Sequence, residues 1–129
     1  MLHVLIGILI TLHGLVHIWY IVLARQIVPF KPELGWTGRS WLFTDRIGDT
    51  RTRGLASILL LLPTLGFAGG GIGYIFDQPW SPLLLAVTAG LSTLVFLLLW
   101  DGDPKLPAEK GLVGVLINAA LTTGVLLLP

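Results

Sequence analysis

Residues 2–23 read LHVLIGILITLHGLVHIWYIVL and decide the fold, because these 22 residues contain no acidic residue, lysine or arginine. Three further runs without charge follow at residues 55–76, 83–100 and 112–128. A helix needs about 20 mainly apolar residues to cross a bilayer, so each run predicts a membrane span. The sequence therefore predicts an all-α fold: an integral membrane four-helix transmembrane bundle, with residues 1–129 as a single transmembrane domain.

The composition agrees with this prediction. The chain is 54% hydrophobic and 12% charged, whereas a soluble domain carries about 25% charged residues. The first run is expected to be retained, because it lacks the preceding basic residue and the cleavage site of a signal peptide. The absence of cysteine excludes disulfides, cysteine-ligated metals and thiol catalysis. A net charge of +1 gives no indication of a nucleic-acid partner.

The basic residues predict the orientation in the membrane. All eight lysines and arginines lie in the connections 24–54 and 101–111, and none lies between the second and third runs. Positive residues stay cytoplasmic, so both connections are predicted to be cytoplasmic loops. The protein is then expected in the cell membrane, as a multi-pass protein with both termini outside.

The first connection contains Trp36, Arg39 and Trp41, a combination that suits the lipid headgroup region. We expect this segment to lie on the membrane, with a helical turn beginning at Ser40. Two interpretations stay open. The arginines either only enforce topology in a solvated loop, or they form a docking surface for anionic lipid or a partner protein.

Small residues on the predicted helices favour close helix packing. In the first run His3, Gly7, His13, Gly14 and His17 share about half of the helix circumference, opposite a leucine face. Other glycines fit small-xxx-small spacings, which let helix backbones approach closely. The predicted packing glycines are Gly7, Gly14, Gly66, Gly69, Gly70, Gly73, Gly90 and Gly124. Some of these faces are expected to meet another subunit.

The intramembrane histidines are the chemically suggestive residues. Helix geometry places His13 and His17 in one layer with Asn118 near the bilayer midplane. One interpretation is structural, with His13 hydrogen-bonded to Asn118. The other makes His13, His17 and Asn118 a cofactor-binding set, for a haem or chlorophyll-type pigment held through one histidine, for a metal, or for a quinone.

Other chemistry has less support. The segment from His13 to His17 spaces two histidines as in HExxH but lacks the glutamate of a metal hydrolase. No metal site, nucleophile–base arrangement or catalytic residue is therefore predicted. The glycines of residues 69–73 lie within an apolar run and do not form a dinucleotide-binding loop.

The sequence resembles small four-span bacterial membrane proteins of uncharacterised function. The resemblance depends on His13-Gly14-Leu15-Val16-His17 in the first span and on Ser40-Trp41-Leu42 in the first loop. It implies the four-span architecture and supplies no activity. We predict a structural or accessory subunit without catalysis of its own, whose partners are the lipid bilayer and other membrane subunits or copies of itself. A cofactor-binding redox membrane protein is the alternative.

Overall fold

The computed structural model describes residues 1–107 and 110–127, where the regular secondary structure is all helical and no strand is present. Four long helices and one short helix form a bundle. They are α1 (Leu2–Ala24), α2 (Thr44–Ile47), α3 (Asp49–Ile75), α4 (Ser81–Leu99) and α5 (Leu112–Leu127), with a 3₁₀ turn at Pro32–Leu34. The predicted all-α helical bundle is confirmed.

The helix bounds differ from the apolar runs mainly at α3. This helix begins at Asp49, six residues before the run at Leu55, because a charged first turn precedes the apolar segment. The i,i+4 pair of Asp49 and Arg53, 3.0 Å apart, stabilises that turn. The turn predicted at Ser40 lies at residues 41–43, and α2 follows it.

Three helices, α1, α3 and α4, are long and apolar enough to cross a membrane. The fourth, α5, has 16 residues and is shorter than the roughly 20 that a perpendicular span needs. The predicted end of this span at Leu128 lies outside the described residues, as do residues 108 and 109 of the predicted second loop.

Glycines set the closest helix contacts. A Cβ added to Gly7 of α1 would lie 2.8 Å from the carbonyl oxygen of Gly71 in α3, and one added to Gly14 would lie 2.7 Å from the Cβ of Phe67. Only glycine allows this approach. As a result α1 and α3 form the tightest pair, while α4 packs on α3 and α5 packs on α4.

The buried apolar side chains form two clusters along the bundle. One lies towards the long first loop and contains Tyr20, Leu23, Ala24, Trp36, Ala56, Leu60, Val95, Phe96 and Leu99. The other lies towards the opposite end and contains Ile10, Phe67, Leu85 and Ala89. The buried histidines of α1, His13 and His17, lie between these clusters, which places them in the middle of the bundle.

Candidate functional site

His13 and His17 bridge α1 to the helices on the far side of the bundle. His17 is 1% exposed and His13 is 8% exposed. The Nε2 atom of His17 lies 2.7 Å from Ser92 Oγ in α4, and the Nε2 atom of His13 lies 2.8 Å from Asn118 Oδ1 in α5. Two side chains of one helix therefore reach two different partner helices.

The contacts of His17 define its tautomer. Its Nδ1 lies 3.2 Å from the carbonyl oxygens of both His13 and Gly14. Carbonyl oxygens only accept hydrogen bonds, so Nδ1 carries the proton in the neutral ring. The Nε2 atom is then the acceptor, and the hydroxyl of Ser92 donates to it.

His13 uses the opposite tautomer. The amide nitrogen of Asn118 donates to Thr93 Oγ1 at 3.2 Å, and the Thr93 hydroxyl donates to the carbonyl of Ala89 at 2.9 Å. The oxygen of the Asn118 amide therefore faces His13, and Nε2–H of His13 donates to it. This confirms the hydrogen bond between His13 and Asn118 that the sequence suggested.

Aromatic rings surround the two imidazoles. The ring of Phe67 lies 4.9 Å from that of His13 and 5.7 Å from that of His17, measured between centroids, and Phe96 lies 5.4 Å from His17. The phenyl rings therefore pack directly against both imidazoles. In the described part of the chain no three His, Cys, Asp or Glu residues come together as a metal site.

The Ser92–His17 contact was not predicted, since the sequence indicated no nucleophile–base arrangement. Its 2.7 Å distance and the oriented Nδ1–H match the geometry that activates a serine nucleophile. Ser92 is fully buried, and the amides around it belong to α4, where backbone hydrogen bonds use them. In the structure the contact is enclosed within the bundle and joins α1 to α4.

The first loop caps the end of α4. Trp36 Nε1–H donates to the carbonyl of Leu99 at 2.9 Å, Trp41 Nε1–H donates to that of Leu97 at 2.7 Å, and the Ser40 hydroxyl donates to that of Leu98. The last carbonyls of a helix have no partner within the helix. The loop supplies these partners, which attaches it to the bundle.

The three predicted interface residues of this loop differ in exposure. Trp36 is buried in the loop-side cluster, whereas Trp41 is 56% exposed. Arg39 is exposed, and its Nη2 lies 3.5 Å from Asp45 Oδ1. Trp41 and Arg39 therefore reach the surface, and Trp36 does not.

Arg53 caps the C-terminal end of α1. Its guanidinium donates to the carbonyls of Leu23 at 3.2 Å, Ala24 at 3.4 Å and Thr37 at 2.9 Å. A cation at a helix C-terminus is also favoured by the helix dipole. The sequence predicts a role in topology for this arginine, and the structure adds a role in joining α1, α3 and the loop.

Lys110 forms a buried ion pair in the second loop. Its Nζ lies 3.1 Å from Asp101 Oδ1, and the two side chains are 3% and 2% exposed. It also donates to the carbonyl of Asp103 at 3.0 Å. The backbone N–H of Lys105 lowers the pKa of the Asp103 carboxyl, and the Lys110 ammonium adds to this effect. The pair holds this loop against the start of α5.

The predicted packing glycines fall into two groups. Gly7, Gly14, Gly66, Gly70 and Gly73 contact neighbouring helices or the Trp80 ring so closely that a Cβ would clash. A Cβ added to Gly69, Gly90 or Gly124 would meet nothing within 4 Å. These three face outward from the bundle.

Fold and site together define an all-helical bundle with three helices of membrane-spanning length and a hydrogen-bonded polar centre. Comparison of the chain with known protein families, curated proteins and solved structures finds no match.

Proposed function

We propose that this chain is a small integral membrane protein that acts as a structural or accessory subunit and binds other membrane-embedded helices. Its four long helices insert in the cell membrane with both termini outside and the basic loops in the cytoplasm. The polar centre is a packing device that fixes how the helices meet. The partner is another subunit or a second copy of the chain.

One observation carries this proposal, the groove between α4 and α5. It has a volume of about 420 Å³ and is lined by small and hydroxyl-bearing side chains, among them Gly90, Thr93 and Ala119. Small residues allow close approach of membrane helices, which lack a hydrophobic drive to associate. A groove of this kind at the outer surface fits a helix from another chain.

The proposed association is tested with leucine substitutions at the outward glycines. Gly69→Leu, Gly90→Leu and Gly124→Leu add side chains into open space, so each monomer keeps its fold while the docking surface changes. Cross-linking in native membranes is expected to lose its products in at least Gly90→Leu. Gly54→Leu, also in open space but outside the apolar run, is the matched control. Unchanged products in all variants would contradict the proposal.

The alternative of a cofactor-binding redox protein is tested separately. His17 has partners on both ring nitrogens, which opposes a role as an axial ligand. Detergent-purified protein is expected to show no visible absorption band. A haem or chlorophyll spectrum that disappears in His13→Ala or His17→Ala would favour the alternative.

A further inference from the structure

Apart from Lys105, whose charge acts on the Asp103 carboxyl, the basic side chains at the loop end of the bundle fall into two classes. Arg53 and Lys110 are used within the fold, and Arg39 pairs with Asp45. By contrast Arg25, Lys31, Arg46 and Arg51 are exposed, and within residues 1–107 and 110–127 their side chains take part in no hydrogen bond or ion pair. Pairing inside the protein therefore does not explain these four cations.

Three of the free cations lie where the long helices end. Arg25 directly follows α1, Arg51 lies in the first turn of α3, and Arg46 lies in α2, which contacts α3. Exposed indoles accompany them at this end of the bundle, since Trp19, Trp41 and Trp100 are each at least 40% exposed. Long basic side chains and indoles together favour the depth of the lipid headgroups.

The geometry points to a binding surface for anionic phospholipid headgroups, formed by Arg25, Arg46 and Arg51. We call this set the arginine collar. The complementary chemistry is the lipid phosphate, which a guanidinium can bind through two parallel hydrogen bonds. A lipid is favoured over a soluble polyanion because the collar lies at the helix ends, at the same end of the bundle as the exposed indoles. This inference depends on the membrane insertion proposed above.

The experiment uses the full chain in vesicles of equal parts phosphatidylcholine and phosphatidylglycerol. The protein is extracted in mild detergent, and the lipids that remain bound are quantified by mass spectrometry. Phosphatidylglycerol is expected to be enriched over its share in the vesicle. Replacing one collar arginine by glutamine reduces the enrichment up to about fivefold, which corresponds to about 1 kcal/mol per basic residue near an anionic surface.

Two controls test whether the loss of enrichment requires the loss of a collar cation. The double variant Arg39→Gln/Asp45→Asn removes an exposed ion pair without changing the net charge, and it should retain the enrichment. Arg25→Lys keeps the cation and should retain most of it. Replacing all three collar arginines by glutamine should abolish the enrichment, and if that variant accumulates poorly the three single variants provide the test.

The outcomes distinguish this inference from the proposed function. A protein that inserts in vesicles but shows no phosphatidylglycerol enrichment, or shows enrichment that collar variants do not change, overturns the lipid site and leaves the subunit proposal intact. Binding of nucleic acid or an acidic protein by the collar in place of the lipid also overturns it. A protein that does not insert in vesicles overturns both.

Discussion

At the scale of single residues, the centre of the bundle depends on two histidines with opposite tautomers. Nδ1–H of His17 donates to backbone carbonyls of its own helix, whereas Nε2–H of His13 donates to Asn118 Oδ1 at 2.8 Å. Each ring therefore joins α1 to a helix with which its backbone makes little direct contact. Side-chain hydrogen bonds replace close backbone packing on this side of α1.

We predict that His13 and Asn118 stabilise the fold as a pair. His13→Ala is expected to lower the free energy of unfolding by about 1 kcal/mol, since hydrogen bonds between membrane helices contribute about 0.6 kcal/mol on average and up to about 2. A double-mutant cycle with Asn118→Ala, measured by unfolding in mixed detergent micelles, should give a coupling energy of similar size. His3→Ala with Asn118→Ala should be additive, and additivity for the His13 pair would contradict a direct bond.

The buried ion pair predicts a larger effect in the second loop. Lys110→Met leaves the Asp101 carboxylate without its cation in a site where the side chain is 2% exposed. Breaking a buried pair in this way costs about 3–5 kcal/mol, to be measured as the loss of unfolding free energy.

Lys105→Met is the matched control, because Lys105 is exposed, and it should change stability by less than about 0.5 kcal/mol. Adding Asp101→Leu to Lys110→Met should recover much of the loss, since the unpaired charge is then removed. Equal stability of the Lys110→Met and Lys105→Met variants would show that the pair contributes nothing.

The sequence indicated part of this residue-level picture. Helical periodicity and depth placed His13 in one layer with Asn118, because the rotation per residue gives the face and the rise per residue gives the depth. The same reasoning did not pair Ser92 with His17, because the rotation of α4 about its axis is set by tertiary packing. Lys110 could not be identified either, since nothing in its local sequence distinguishes a buried lysine from an exposed one.

At the scale of helices, the contact between α1 and α3 depends on missing side chains. Gly14 lies against Phe67 and Thr64, where a Cβ would be 2.7 Å from the Phe67 Cβ and 3.2 Å from the Thr64 oxygen. Gly69 on α3 has open space in the same position. The two glycines therefore separate the effect of packing from that of helix propensity.

We predict opposite signs for the same substitution at these two positions. Gly14→Ala should lower the free energy of unfolding by about 1–3 kcal/mol through overpacking. Gly69→Ala should raise it by about 0.5–1 kcal/mol, because alanine loses less backbone entropy than glycine in a helix. Both values come from unfolding titrations of purified monomer. If Gly69→Ala lowered the free energy of unfolding as much as Gly14→Ala, Gly69 would have to lie against a neighbouring helix. That result would contradict the packing of α3 described above.

Helix bounds were predictable where an apolar run matches a helix and less so where it does not. The run at 55–76 omitted the first two turns of α3, because hydropathy detects lipid-compatible residues and not helix starts. Spacing predicted helix packing for all eight glycines, and three of them face outward, since spacing alone does not specify which neighbour is present. The capping of α4 by Trp36, Ser40 and Trp41 had no sequence signal, as the contact joins residues 56–63 positions apart.

At the scale of the whole molecule, the two ends and the centre carry different polar groups. The loop end holds all the lysines and arginines, whereas the α3–α4 connection contains Asp77 as its one charged residue. The centre is closed, since in the described part of the chain no buried side-chain nitrogen or oxygen lacks a hydrogen bond. A molecule whose buried polar side chains are hydrogen-bonded, and whose outer helix faces carry small residues, is suited to association through its surface.

The separation of charge predicts the orientation, and the absence of cysteine makes it directly measurable. With basic loops held in the cytoplasm, a membrane-impermeant maleimide should label Gln78→Cys in intact cells and label Thr50→Cys only after permeabilisation. Both positions are exposed in the fold. Ser92→Cys, at a fully buried position, should resist labelling in both conditions. Labelling of Thr50→Cys in intact cells with protection of Gln78→Cys would reverse the orientation, and equal labelling of the two would contradict a membrane crossing by α3.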